Sequence, residues 1–238
     1  MKTFNHILFP VDFSKRCDAT TPHVMAWAQR FKAQVTVIHT MQIPISSYGG
    51  PDGYPIIIDV PGIEATARER LNSFDFPGAE RVVTMGDPAY EITQFAEKNG
   101  VDLIMMPTHG YGKFRSMLLG SVASKVLHDS HCPVWTSAHT EDAAKHTEIH
   151  HILCAIDVAD ESPELVQSAE ELAQAFGAEL HLFHAGAGHI SQAVAAAAVG
   201  QNAELVITGP GKLHKALGRL RSHTLAIVHD SPCSVLSL

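Results

Sequence analysis

The chain has 238 residues, 45% of them apolar, and a formal net charge of −8. This length and composition are typical of a globular protein with a substantial core, built as one large domain or two small ones. The acidic balance argues against a nucleic-acid or membrane-surface binder, because both of those surfaces are themselves negative. The first apolar segment is interrupted by Pro10 and Asp12 and is too short for a signal sequence or a membrane span, so we expect a soluble, cytoplasmic protein.

The cysteines and histidines do not form a metal-binding pattern. The cysteines are Cys17, Cys132, Cys154 and Cys233. No two of them form a C-x-x-C pair, so we expect small buried side chains rather than a zinc or redox site. His146, His150 and His151 are close enough in the sequence to share an ion, but no fourth ligand accompanies them. We predict no metal site and favour a structural or surface role for these histidines.

The first elements in the chain form a β-α-β unit. Residues 7–11 and 35–41 are short runs rich in strand-forming residues, and both are bounded by polar segments. The segment between them has apolar side chains at helical spacing, at Val24, Trp27, Ala28 and Phe31. This order places two neighbouring parallel strands at the start of the fold.

A long loop, residues 42–61, separates this unit from the next helix. It is rich in glycine and proline, and its length suits either a lid over a site or a plain connection; both interpretations stay open. The next helix is predicted from apolar residues at helical spacing, at Ile63, Ala67, Leu71 and Phe74. A strand at residues 81–84 follows it.

The rest of this half continues the alternation. A third helix begins at Asp87 and Pro88, an N-cap acceptor followed by proline at the first helical position. Residues 103–106 read as a buried strand, 121–129 as a short helix and 133–137 as a last strand. Helices that alternate with continuously apolar strands predict a parallel sheet covered on both faces.

The chain contains an internal repeat. Residues 6–13 resemble residues 151–158, and residues 128–134 resemble residues 229–235. The second copy is shorter, because it lacks the long loop, one helix and one strand that follow His39 in the first copy. A repeat of this kind indicates two versions of one structural unit.

The repeat also predicts where the domains divide. A polar segment at residues 139–148 lies between the two copies and reads as a linker. We therefore predict one domain at residues 1–140 and a second, shortened domain at residues 148–238.

The turn after the 103–106 strand has the pattern of a phosphate-binding loop. Residues 107–110 read Pro-Thr-His-Gly, and after nine intervening residues Gly120 and Ser121 open a helix. Glycines let backbone N–H groups approach a phosphate, and Ser121 at the N-cap would add a hydroxyl where the helix dipole favours an anion. Tight turns and helix packing are the alternative reason for these glycines.

Other candidates follow from the position of ligands in open parallel sheets, which bind beyond the carboxyl ends of the strands. Asp12 and Thr40 come after the first two predicted strands. Asp12 is a candidate ligand contact, although aspartate in this setting also caps turns.

With these residues, the first copy resembles the universal stress protein family. Nucleotide-binding members carry Gly-x-x-Gly, nine residues, then Gly-Ser or Gly-Thr; here Pro107 stands in place of the first glycine. The resemblance implies that the aspartate and the residue after His39 face the nucleoside and that the loop holds the phosphates. The implied nucleotide-binding residues are Pro10, Asp12, Thr40, Met106, Pro107, Gly110, Gly120 and Ser121. Pro107 supplies no backbone N–H, so one phosphate donor is missing.

The second copy keeps only parts of this pattern. Its candidate residues are Asp157, Gly209, Gly211, Arg221 and Ser222. Arg221 occupies the position of Gly120, where a guanidinium would attract a phosphate but would also fill its space. A structural role is the favoured interpretation of this copy.

The resemblance implies an α/β fold with an open parallel sheet and helices on both faces, Rossmann-like and adenine nucleotide alpha hydrolase-like, in two tandem copies. It also implies a non-catalytic stress-response protein that binds ATP or AMP, the former with Mg²⁺, in its first domain and signals through an unidentified protein partner. The alternatives are a nucleotide-free scaffold and a weak ATP hydrolase. Lys113 is followed by Phe114, so no Walker A loop is present, and no set of catalytic residues is evident.

The resemblance has a further implication for assembly. Members of the family pair through their last strands, so we expect residues 134–137 to pair with residues 235–238 inside this chain. The two domains would then form an internal pseudo-dimer, and a homodimer through the same edges is the alternative.

Overall fold

The computed structural model describes residues 4–42, 59–109, 119–137, 147–157, 163–185, 189–209 and 221–238, without the side chains of residues 157, 185, 221 and 222. Gly110, Gly211 and His146 lie outside the described residues, as do most of the long loop and most of the predicted linker. The domain boundaries therefore stay predictions. No helix in the described ranges is long and apolar enough to cross a membrane.

The first half of the chain alternates strands and helices as predicted. Its elements are β1 (His6–Pro10), α1 (Lys15–Phe31), β2 (Gln34–Met41), α2 (Val60–Asn72), β3 (Glu80–Met85), α3 (Pro88–Lys98), β4 (Leu103–Met106), α4 (Ser121–Asp129) and β5 (Val134–Thr136). The one difference in helix length concerns α2, which ends before Phe74. That side chain packs against the core from the turn that follows the helix.

The second half has the same order with two elements fewer among its described residues. Its elements are β6 (His151–Asp157), α5 (Pro163–Phe176), β7 (Glu179–Ala185), α6 (Ile190–Gly200), β8 (Leu205–Thr208), α7 (Arg221–Asp230) and β9 (Ser234–Ser237). No described element corresponds to α2 or β3.

All nine described strands form one sheet in the order β3-β2-β1-β4-β5-β9-β8-β6-β7. The pairs within each half are parallel, whereas β5 and β9 pair antiparallel, with Trp135 opposite Leu236. The predicted pairing of the last strands is therefore confirmed. In the described fold β3 and β7 form the two edges of the sheet.

Apolar side chains from both faces of the sheet form the core. On one face α1, α2 and α5 cover the strands, and the cluster there contains residues of both halves. On the other face α3 and α4 cover the first half, and α6 and α7 cover the second. Phe176 of the second half contacts Trp27 and Phe31 of the first, with ring centroids 5.1 Å and 5.7 Å apart.

Candidate functional site

A cleft of about 920 Å³ lies at the carboxyl ends of β1, β2 and β4. The chain runs from β1 to β2 on one side, while β4 pairs on the other, so the order of strands reverses at β1. Ligands of open α/β sheets bind at such a reversal. The walls are the α2 face that carries Ile63, Thr66, Ala67 and Arg70, the start of α3, and the start of α4.

Seven of the eight residues predicted for the first site line this cleft. They are Pro10, Asp12, Thr40, Met106, Pro107, Gly120 and Ser121. Pro10 and Met106 are the last residues of β1 and β4, so the neighbouring strands deliver them to the same edge of the sheet. Gly110 lies outside the described residues. The fold thus gathers residues that are up to 111 positions apart in the sequence.

Asp12 both caps a turn and lines the cleft. Its Oδ1 accepts hydrogen bonds from the backbone N–H of Ser14 at 3.0 Å and from the Cys17 thiol at 3.1 Å. The two interpretations of Asp12 are therefore compatible. The hydrogen bonds hold its carboxylate in place at the cleft.

The residue after Asp12 has an unusual backbone. Phe13 has a φ of 61°, in the left-handed region that bulky residues rarely adopt. Its ring lies 4.5 Å from the His39 ring and under the guanidinium of Arg70, at 4.4 Å. Neither Phe13 nor Arg70 was predicted from the sequence as a site residue. The spacing of Arg70 from Ile63, Thr66 and Ala67 is the signal that could have placed it on the cleft wall.

The end of β2 is fixed by polar contacts. His39 Nδ1 lies 2.8 Å from the carbonyl of Val11, which can only accept, so this nitrogen is the donor. The Thr40 hydroxyl lies 2.9 Å from that of Thr84 on β3. Thr40 therefore lines the cleft with its hydroxyl already engaged by the neighbouring strand.

The glycine at the start of α4 is required by packing. The Gly120 N–H donates to the Thr108 carbonyl at 2.9 Å, and a Cβ added at Gly120 would lie 2.9 Å from that same oxygen. The packing interpretation of this glycine is thus supported, and its N–H is not available to a phosphate. The prediction that Ser121 is the N-cap was wrong, because Gly120 is the N-cap and Ser121 is the first helical residue. Ser121 nevertheless lines the cleft at the positive end of the helix.

The cysteines are free thiols, and three of them are buried while Cys132 is partly exposed. Cys17 lines the cleft, where burial and the nearby Asp12 carboxylate raise the pKa of its thiol to about 12. Burial also raises the pKa of Cys154 to about 12 and that of Cys233 to about 11. Cys17 is consequently a thiol donor to Asp12 and not a nucleophile at neutral pH.

The candidate site of the second half is described only in part. Asp157 ends β6, Gly209 follows β8, and Arg221 and Ser222 open α7. The structure describes the backbone but not the side chains of residues 157, 221 and 222. A Cβ at Gly209 would make only ordinary contact, 3.4 Å from Leu165. The second half also has no described counterpart of the α2 wall.

The histidines near the start of the second half contact carboxylates. His150 Nε2 lies 3.2 Å from Glu148, and His151 Nδ1 lies 3.8 Å from Glu204. Within the described ranges no three His, Cys, Asp or Glu side chains are grouped closely enough to hold a metal ion.

Fold and site together define an α/β protein of the doubly wound class, with a ligand cleft at the strand-order reversal of its first half. Residues 3–137 match the model of the Universal stress protein family, and the chain belongs to this family. The match covers the half that contains the cleft.

Relatives matched by sequence cover about half of this chain, whereas a solved structure covers nearly all of it. A universal stress protein of Methanocaldococcus jannaschii is 30% identical over 138 residues, which cover 55% of this chain and 80% of the relative. The universal stress protein A homolog 1 of Coxiella burnetii is 29% identical over 136 residues, 55% of this chain and 94% of the relative. The crystal structure of a universal stress protein from Archaeoglobus fulgidus covers 99% of this chain and 96% of its own, with a TM-score of 0.63 at 20% identity. The fold is therefore shared over both halves.

Proposed function

We propose that the cleft of the first half binds an adenine nucleotide, ATP or AMP, and that the protein is a non-catalytic stress-response protein whose occupancy changes its binding to a protein partner. The observation that carries this proposal is the convergence of seven predicted residues on one cleft at the strand-order reversal. A volume of about 920 Å³ is within the usual range for small-molecule and cofactor sites.

The start of α4 is the phosphate end of the proposed site. The first N–H groups of a helix have no partner within the helix, and the dipole favours negative charge there. Ser121 adds a hydroxyl at this position. Two backbone donors are unavailable, because Pro107 has no N–H and the Gly120 N–H is bonded to Thr108. Phosphate binding therefore depends on the first turn of α4.

Mg²⁺ would accompany ATP rather than occupy a protein site of its own. Asp12 is the one carboxylate among the described residues that line the cleft, and its Oδ1 already accepts two hydrogen bonds. Mg²⁺ prefers oxygen ligands and is commonly held by substrate phosphates together with one or two carboxylates. The residues present suit an ion held chiefly by the phosphates of ATP, because the family resemblance places Asp12 on the nucleoside side of the cleft.

A non-catalytic role agrees with the chemistry of the lining. Cys17 is the one cysteine in the described lining, and its raised pKa keeps it protonated. The described lining presents no pair of carboxylates for general acid–base catalysis. ATP hydrolysis stays an alternative that the measurement of phosphate release tests directly.

Calorimetry with ATP and AMP, with and without Mg²⁺, tests the proposed binding. We expect heat of binding for the wild type and a loss of at least tenfold in affinity for Gly120→Val, because the added side chain displaces the 108–109 turn from the cleft. Gly200→Val is the matched control, because an added Cβ at this exposed end of α6 would have no neighbour within 4 Å, and it should bind as the wild type does. A wild-type protein that carries no nucleotide on purification and gives no heat would contradict the proposal.

A nucleotide-free scaffold is the second candidate function. The specific observation in its favour is the incomplete donor set, in which Pro107 and Gly120 offer no N–H to a phosphate. Pull-down of partners with and without ATP separates the two: partner binding that is indifferent to nucleotide and to Gly120→Val supports the scaffold.

A further inference from the structure

Arg70 is a permanent cation on the wall of the cleft. It belongs to the face of α2 that lines the cleft, in the last turn of that helix. Its guanidinium carbon lies 4.4 Å over the centroid of the Phe13 ring. Among the described residues the guanidinium has no carboxylate partner and no hydrogen-bond acceptor. Its N–H groups are therefore available to a group that enters the cleft.

The other arginines of this region are engaged differently. Arg68, two positions away on α2, forms an ion pair with Glu64 at 2.7 Å on an exposed face. Arg81 donates to four backbone carbonyls, those of Leu71, Phe74, Phe76 and Ala79. Arg81 thus stabilises the end of α2 and the turn after it, whereas the Arg70 guanidinium stacks on the Phe13 ring and bonds no backbone carbonyl of the described residues.

The position of Arg70 within the cleft indicates which part of a ligand it meets. The phosphate end lies at α4, which follows β4, and the sheet order runs from β4 through β1 to β2. Phe13 follows β1, and its ring touches His39 of β2 at 4.5 Å. Arg70 therefore lies at the opposite end of the cleft from α4, where Ile63 and Ala67 of α2 make the lining apolar. A nucleotide with its phosphates at α4 extends its nucleoside toward this end.

The chemistry of this end suits a nucleobase. A guanidinium is planar and weakly hydrated, so it stacks on aromatic rings and also donates to ring nitrogens and carbonyl oxygens. The Phe13 ring holds the Arg70 group in place, and contacts with the rings of His39 and Phe74 position the Phe13 ring. We propose that Arg70, supported by Phe13, contacts the nucleobase of the bound nucleotide and is the specificity-determining residue of the cleft. This inference rests on the proposed nucleotide binding.

Titration of AMP and ATP into the wild type, Arg70→Gln, Arg70→Lys and Arg68→Gln at low and at high salt tests the role of Arg70. We expect Arg70→Gln to bind about tenfold more weakly. Arg70→Lys should be weakened to a similar extent, because lysine keeps the charge but has no planar group to stack. The ratio of wild-type to variant affinity should not change with salt, and Arg68→Gln should bind as the wild type does. Thermal unfolding of each variant checks that the fold is intact.

The other outcomes are distinguishable. Two results together would show that Arg70 contacts a phosphate and would overturn the inference. Arg70→Lys would bind as the wild type does, and the ratio of wild-type to Arg70→Gln affinity would fall at high salt. Wild-type affinity in both Arg70 variants would overturn it as well, while the proposed nucleotide binding would stand. A wild type that binds neither AMP nor ATP would instead defeat the proposed function.

Discussion

At the scale of single residues, Asp12 and Cys17 show how the cleft is fixed before any ligand enters. The Cys17 thiol and the Ser14 N–H both donate to one carboxylate oxygen of Asp12. The turn from Asp12 to Ser14 contains Phe13 with its left-handed φ. A thiol is a suitable donor here because its small side chain fills the space under the turn without a charge. Ionisation of Cys17 would place a second negative charge against Asp12.

The stability of the protein should therefore decrease as Cys17 ionises. Its folded pKa of about 12 lies above the ordinary value of 9.0, so the unfolded chain loses this proton first. The contribution of Cys17 is complete below the ordinary pKa and is lost as the pH rises toward the folded value. We expect the free energy of unfolding to fall by about 1 kcal/mol more in the wild type than in Cys17→Ala between about pH 8 and about pH 10. Urea unfolding at each pH measures this difference, and parallel curves would contradict it.

The residues of the cleft differ in how well the sequence predicts them. Residues after strands could be placed at the cleft, because parallel strands bring their carboxyl ends to one edge. Arg70 was not predicted as a cleft residue, because an arginine on a helix usually indicates a solvated face; only its spacing from Ile63 and Ala67 on α2 points to the cleft wall. Gly120 was predicted for the right position, but its contact with the Thr108 carbonyl requires two loops whose meeting no local pattern encodes.

At the scale of elements, the start of α3 is the best-determined local feature. Asp87 Oδ1 accepts from the Tyr90 N–H at 3.1 Å, and its other oxygen accepts from Lys125 of α4 at 3.0 Å. The hydrogen bond from Lys125, followed by that from Tyr90, lowers the pKa of this carboxyl. One side chain thus caps one helix and links it to another.

Substitutions of Asp87 separate the cap from the ion pair. Asp87→Ala should lower the free energy of unfolding by about 1 kcal/mol, because it removes the cap of α3. Asp87→Asn keeps an acceptor for Tyr90 and loses only the exposed pair with Lys125, so we expect a loss below about 0.5 kcal/mol. The lowered pKa means that this second difference is present above the ordinary pKa and disappears as the pH falls through the folded value. Equal losses for the two variants in urea unfolding would argue against the cap.

The boundaries of the elements were predictable where a local signal marks them. The start of α3 follows from Asp87 and Pro88, and α4 has the predicted bounds. Ile63 belongs to the apolar spacing that predicts α2, yet its side chain is 41% exposed and lines the cleft. The same apolar spacing serves a core and a ligand wall, so periodicity alone does not distinguish them.

At the scale of the whole molecule, the family resemblance predicted the pairing of the last strands but not the packing across it. Two related units with a free last strand each could be expected to pair there, and β5 pairs with β9. The contact of Phe176 with both Trp27 and Phe31 follows from no local pattern, because its partners are more than a hundred residues away. The second half has no described counterpart of α2 and β3, and its matching strand is more exposed. Leu182 of β7 is 48% exposed, whereas Val37, at the matching position of β2, is fully buried.

The shared core predicts that the two halves unfold together. Phe176→Ala removes an aromatic contact that joins α5 to α1, so we expect a loss of about 3 kcal/mol in the free energy of unfolding. Both tryptophans, Trp27 and Trp135, belong to the first half, so their fluorescence reports on that half during urea unfolding. This substitution of Phe176 should move the fluorescence and circular-dichroism transitions to lower urea by the same amount.

Leu182→Ala is the control in the same half, and the loss of its exposed side chain should lower the free energy of unfolding by less than about 1 kcal/mol. A fluorescence transition that does not move while circular dichroism shows two steps would contradict this prediction. In one cooperative core, the loss of a contact in the second half also destabilises the first half.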